Sequence, residues 1–254
     1  MNIRSGLGII IQARQGAHRL PGKMLKPFYG EKGILELILE KICRRFPNVP
    51  VIVATTTNHQ DDVILEICNS HKVICFRGSE TNVLDRFIQS ATLHRLDKII
   101  RVCADNPFID LEGVASLMAL FENNKFDYGA FQTSDGKPTI LSHYGFWAEA
   151  TTLEALRKVA QLTQEPFYLE HVTNYMYQNP QEFELCFLKI PSEIEAVKNI
   201  RLTVDTLEDF YLAQTIFNRQ KELGLTDLKT LISLISENKQ WQGKMMKQIE
   251  QNLK

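Results

Sequence analysis

"IIQARQGAHRLPGKML", residues 10–25, passes from an apolar run into a loop that carries Arg14, Arg19 and Lys23. The apolar part belongs to a run from Gly8 to Ala13 that reads as a buried strand. Val51 to Ala54, Val73 to Phe76 and Lys98 to Val102 read the same way. Residues 33–45, 61–70 and 82–96 between them carry helical periodicity. Strands alternating with helices imply a parallel sheet with crossover helices, so the cations sit where the first strand ends. Asp61-Asp62, Asn82 and Asp110 each precede a helical pattern, and their side-chain oxygens can accept from unpaired first-turn amides.

The loop matches neither common phosphate motif. Gly16 and Gly22-Lys23 are separated by five residues where a P-loop has four, and Met24 replaces the Mg-binding Ser or Thr. Gly6 and Gly8 are followed by Ile11 where a dinucleotide fingerprint needs its third glycine. What remains is a loop of small residues and three long cations at a strand's carboxyl end, a composition suited to a triphosphate or to pairing with surface carboxylates.

Two carboxylates repeat that placement. Asp105 in "IIRVCADNPFID" follows an apolar strand and precedes Asn106-Pro107, and Asp205 follows "IRLTV", which reads as a strand ending at Val204. Each could favour a turn or a helix N-terminus alone. Together with the cations they suit Mg²⁺ and a nucleoside triphosphate. The Thr206-x-x-Asp209 spacing that follows matches a capping box.

The 254 residues fit one large α/β domain, and 29 Lys+Arg against 30 Asp+Glu give a net charge of -1, which favours neither nucleic acid nor an anionic membrane. The apolar stretch near the start is shorter than a signal-peptide core and no run reaches membrane length, so a cytoplasmic protein is expected. The five cysteines show no CxxC and read as reduced residues of apolar segments. The six histidines lack zinc-site spacing, and Ser79 lacks a GxSxG frame. From about 126 to 191 the pattern changes to an inserted α+β lobe, with helices expected near 152–161 and 165–177 and a strand near 184–188. Residues from about 225 to 254 read as a C-terminal helical tail.

The opening stretch resembles that of the CMP-sugar cytidylyltransferases, the group with CMP-Kdo and CMP-sialic acid synthetases, and is most similar to the spore-coat polysaccharide branch. The resemblance continues in order through "VIVATTTNHQDD", "VICFRGSETNVLDRF", "IIRVCADNPFID", "EHVTNYMYQNP" and "IRLTVDTLEDF". It implies a mostly parallel nucleotide-binding sheet flanked by helices, of the nucleotide-diphospho-sugar transferase type, and a homodimer. The implied reaction joins an acceptor to the α-phosphorus of CTP with Mg²⁺ and releases pyrophosphate. By motif position, Arg14, Arg19 and Lys23 correspond to triphosphate-binding cations, Ala13 to a residue beside the cytosine or ribose, and Asp105 and Asp205 to metal ligands. Arg77, Ser79 and Asn82 fall in the segment lining the nucleotide and acceptor cleft, and Glu149, Glu170 and His171 match positions near a small acceptor.

Two departures bear on specificity. Gly16-Ala17-His18 lacks a hydroxyl that relatives carry, and Trp147 stands where they have an acidic residue, either in the acceptor pocket or in lobe core. A uridylyl- or guanylyltransferase of the same fold, or a non-catalytic nucleotide- or sugar-binding protein, remains an alternative to a cytidylyltransferase serving surface polysaccharide or capsule assembly.

Overall fold

The computed structural model describes residues 6–16 and 19–252; the Ala17-His18 departure lies outside the described residues. The first half alternates strand and helix: β1 (Leu7–Gln12), α1 (Ile34–Arg45), β2 (Val51–Thr56), α2 (Asp62–Ser70), β3 (Ile74–Gly78), α3 (Val83–Leu93), β4 (Lys98–Cys103) and α4 (Leu111–Asn123). There follow β5 (Tyr128–Gln132), β6 (Glu149–Thr152), α5 (Leu153–Leu162), α6 (Pro166–Glu170), α7 (Asn174–Gln178), β7 (Leu185–Lys189) and α8 (Ser192–Glu195). The chain closes with α9 (Leu207–Glu222), α10 (Leu228–Glu237) and α11 (Lys239–Gln251).

Among the described residues seven strands form one sheet in the order β3-β2-β1-β4-β6-β5-β7. β3, β2, β1 and β4 run parallel, β6 is antiparallel to both neighbours, and β7 is parallel to β5. The strands of residues 126–191 thus extend the same sheet. The continuous apolar run of β1 follows from burial on both faces. Ile9 and Ile11 pack with Ile38, Leu117 and Phe217 of α1, α4 and α9, while Ile10 packs with Phe87 and Leu156 of α3 and α5. Each such side chain contributes about 1.5–3 kcal/mol by leaving water.

Side chains also fix where helices begin. Asn82 Oδ1 accepts from the Asp85 amide at 2.8 Å and Asp110 Oδ1 from the Glu112 amide at 3.2 Å. The capping box at Thr206 forms, with the Asp209 amide donating to Thr206 Oγ1 at 3.1 Å and the Thr206 amide to Asp209 Oδ2 at 3.0 Å.

Two expected elements differ. The helix over 165–177 is two short helices, α6 and α7, separated at His171–Thr173, where Thr173 turns inward and donates to Glu149 at 2.9 Å. The strand ending at Val204 does not form. Both edges of β4 are already taken, by β1 and β6, so residues 201–204 run extended beside the sheet. Among the described residues they make isolated backbone bonds, Leu202 N and Thr203 N to His143 O at 3.0 and 3.4 Å and Val204 N to Asp105 O at 3.4 Å. Gly145 has φ +71° and lies so close to this segment that a Cβ would stand 2.8 Å from Leu202 C and Thr203 N. Trp147 stacks on Phe131 with centroids 5.5 Å apart and meets Tyr144 and Phe146 edge-on, which places it in the core. The five cysteines are free. Among the described residues no helix is long and apolar enough to cross a membrane.

Candidate active site

Strand order reverses between β1 and β4: the chain steps outward from β1 to β2 and β3, then returns to place β4 on the other side of β1. Ligands of open α/β sheets bind in the crevice at such a switch point, beyond the carboxyl ends of the strands. The loops after β1 and β4 meet there.

The loop after β1 is held from below. Asp61, almost fully buried, accepts from the Gln15 amide at 2.7 Å and from the Thr56 hydroxyl. Gly22 takes φ +68°, a conformation that glycine adopts without strain, and its amide donates to Gln15 O at 3.0 Å. The chain folds back and delivers the next residue, Lys23, into the crevice.

Lys23 is only 7% exposed. Its Nζ donates to Asp105 Oδ2 at 2.8 Å and to Val204 O at 2.5 Å, and lies 3.5 Å from Asp205 Oδ1. Burial works against its charge, but Asp105 and Asp205 outweigh it and hold its pKa above the usual lysine value. Arg19, half exposed, reaches the same Asp205 oxygen with Nη2 at 3.2 Å and gives Nη1 to Asn252 Oδ1 at 3.0 Å. Four residues chosen from the sequence, Arg19, Lys23, Asp105 and Asp205, thus form one cluster. The oxygen donors of Asp105 and Asp205 converge on a single cation. Among the described residues no group of three or more His, Cys, Asp or Glu could hold a metal ion. Two carboxylates leaving other positions to phosphate and water is a donor set suited to Mg²⁺.

Arg14 stands apart, its Nη2 2.7 Å from Glu170 Oε1 and its Nη1 3.4 Å from Glu80 O. This pair links the loop after β1 to the break between α6 and α7. His171, beside Glu170, packs its ring on Phe167 at 4.8 Å, and burial lowers its pKa below the usual histidine value. Ala13 is buried and its amide donates to Ala54 O at 3.2 Å. Arg77 is engaged on every side, with Thr56 O at 2.8 Å, Asn58 O at 2.9 Å and Asp62 at 2.7 Å. Ser79 Oγ accepts from the Asn82 amide at 3.0 Å, and Asn82 caps α3. Glu149 is 3% exposed; it pairs with Arg101 and accepts from Tyr128 Oη at 2.6 Å and Thr173 Oγ1 at 2.9 Å.

Several supporting residues were not foreseen from the sequence. Arg201, 3% exposed, binds Asp209 with Nε and Nη2 at 2.7 Å each, Asp205 at 3.2 Å and His143 Nδ1 at 2.6 Å. An arginine inside an apolar run, four residues before Asp205 and eight before Asp209, was the available signal. Arg86 is fully buried and supports the 79–82 loop through Ser79 O at 2.7 Å. Burial and the like charge of Arg14 pull its pKa down to about 10.

The sequence model of the Cytidylyltransferase family matches residues 8–248. The chain is 37% identical over 233 residues to an uncharacterised protein of Methanocaldococcus jannaschii, covering 91% of this chain and 90% of the relative. It is 31% identical over 234 residues to the spore coat polysaccharide biosynthesis protein SpsF of Bacillus subtilis, covering 90% and 93%. A solved cytidylyltransferase structure from Leptospira borgpetersenii superposes with a TM-score of 0.79 at 29% identity, over 94% of this chain and 97% of that one. The family match takes in both loops of the switch point and the segment bearing Asp205, and the chain belongs to the cytidylyltransferase family of nucleotidyltransferases.

Proposed function

We propose that the protein transfers CMP from CTP to a sugar acid or another small acceptor, releasing pyrophosphate, with Mg²⁺ held by Asp105 and Asp205. The observation that carries this reading is Lys23, a buried ammonium fixed between Asp105 and Asp205 where the loops after β1 and β4 meet. An acceptor oxygen bonds to the α-phosphorus while the bond to pyrophosphate breaks, so the site must align the reactants and neutralise charge arriving on the leaving group. Arg14, Arg19 and Lys23 supply fixed positive charge for the triphosphate. Bound Mg²⁺ supplies further neutralisation of the phosphates. Before substrate binds, Lys23 offsets the repulsion between the two aspartates and keeps them convergent.

Glu170 and His171 line the acceptor side, across the Arg14 contact from the phosphate side. Burial favours the uncharged ring of His171, which in that form can accept a hydrogen bond from an acceptor hydroxyl. Ala13, Ser79 and Asn82 flank the nucleotide. The likeness to a spore coat polysaccharide biosynthesis protein supports a sugar acceptor and a role in surface polysaccharide or capsule assembly. A homodimer belongs to the same proposal, and light scattering of the purified chain tests it.

The deciding experiment is pyrophosphate release with Mg²⁺, each of the four NTPs being paired with sugar acids, sugar phosphates and small phosphorylated metabolites. CTP-specific release, abolished in Asp105→Ala, is the expected result. Release with UTP or GTP instead would make the enzyme a uridylyl- or guanylyltransferase. CTP binding without release across the panel would point to a binding protein.

A further inference from the structure

The inner face of α11 follows the active-site wall turn by turn. Trp241, Met245 and Gln248 are its buried residues, and Asn252 is the residue that ends it. Met245 Sδ lies 3.5 Å from the Arg201 amide, at the start of the segment leading to Asp205. One turn later Gln248 Oε1 accepts from Thr206 Oγ1 at 3.2 Å, at the N-cap of α9 directly after Asp205. At the next turn Asn252 Oδ1 accepts from Arg19 Nη1 at 3.0 Å, while Arg19 Nη2 pairs with Asp205 at 3.2 Å.

Asn252 is itself fixed. Its amide donates to Gln248 O at 3.1 Å, and its side-chain Nδ2 donates to the same carbonyl at 3.0 Å and to Gln248 Oε1 at 3.4 Å. Its carboxamide oxygen is therefore left to face Arg19. A half-exposed arginine held by one carboxylate oxygen can rotate about that contact; a second, rigid acceptor on its other nitrogen stops the rotation. The acceptor is neutral, so it orients the guanidinium without cancelling the charge a phosphate needs.

We infer that Asn252, backed by Gln248, is a positioning residue that presets Arg19 for the pyrophosphate portion of the nucleotide, making α11 part of the active site. This rests on Arg19 being a triphosphate ligand.

The test is calorimetric titration of the full-length protein with inorganic pyrophosphate, together with steady-state kinetics in CTP, for Asn252→Ala, Asn252→Gln, Asn252→Asp, Arg19→Ala and the Arg19→Ala/Asn252→Ala double variant. Loss of one exposed hydrogen bond of ordinary net strength corresponds to about twofold to tenfold in affinity. Asn252→Ala is expected to weaken pyrophosphate by that factor and to raise KM for CTP more than it lowers kcat, with an unchanged melting temperature. Asn252→Gln restores part of the loss. Asn252→Asp weakens pyrophosphate binding, because its carboxylate competes for Arg19. In the Arg19→Ala background, Asn252→Ala has no further effect. An undiminished effect of Asn252→Ala in that background overturns the inference while leaving the role of Arg19 intact. If Arg19→Ala alone binds pyrophosphate as the parent does, the reading of Arg19 fails and the inference falls with it.

Discussion

Lys23 Nζ lies 2.8 Å from Asp105 Oδ2, a bond that ties the loop after β1 to the loop after β4. It crosses the point where strand order reverses, so the two loops that border the crevice are joined by the residues expected to handle substrate. A buried lysine facing two carboxylates is a preset electrostatic element whose charge needs no rearrangement when a phosphate arrives.

Lys23→Ala should therefore lower turnover by about 100-fold or more, the scale found when a single preorganised donor is removed. Circular dichroism should show an intact fold, since the side chain lines the crevice and both aspartates keep some access to water. Near-parental turnover by the folded variant would reject the role.

Arg201 should matter to stability first. Its guanidinium is buried and holds Asp209, which is itself almost fully buried, with two bonds. Arg201→Ala leaves that carboxylate without its counter-charge, held by the Asp205 and Thr206 amides alone, a loss worth about 3 kcal/mol in urea unfolding. Arg201→Met/Asp209→Asn, which removes both charges and keeps an acceptor for the Thr206 amide, should recover part of it. If the single variant unfolds at the parental urea concentration, the ion pair carries no structural weight.

The residues that were legible in the sequence and those that were not differ in where their partners lie. Lys23, Asp105 and Asp205 each follow a strand or an extended run, so local pattern placed them on one side of the sheet. The segment 201–204 looked like a strand because alternation reports extended backbone and not whether a neighbouring edge is open; β6 had filled the edge of β4. The break at His171–Thr173 depends on Thr173 reaching Glu149, which helical periodicity cannot register. Asn252 and Arg19 are separated by 233 positions, and no spacing rule connects them.

Glu149 and Glu170 should separate cleanly in experiment. Glu149→Gln weakens the buried pair with Arg101 and should cost about 2–4 kcal/mol of stability. Its effect on the acceptor should be indirect, because Thr173 connects it to the segment bearing His171. Glu170→Gln changes a carboxylate that is 47% exposed, so stability should move by less than about 0.5 kcal/mol. Acceptor KM should change in that variant. An unchanged acceptor KM in Glu170→Gln would remove Glu170 from the acceptor site.

Lys41 supplies a pH signature at a distance from the crevice. Its Nζ donates to Pro107 O at 2.7 Å and lies 4.7 Å from the centre of the Phe217 ring. Burial, with the like charges of Lys221 and Arg44, lowers its pKa from 10.5 to about 7. Between those values the unfolded chain holds a proton that the folded protein lacks, so this group makes stability rise with pH. The contribution is absent above pH 10.5, and the full penalty applies below pH 7. Lys41→Met cannot titrate, and its stability relative to the parent should decline by about 1–2 kcal/mol from pH 7 to pH 9, allowing for the side chain's partial contact with solvent. Urea unfolding of both proteins at the two pH values measures this difference. An equal gap at pH 7 and pH 9 would show that Lys41 keeps its proton throughout and that the Pro107 carbonyl and Phe217 ring offset the cost of burying it.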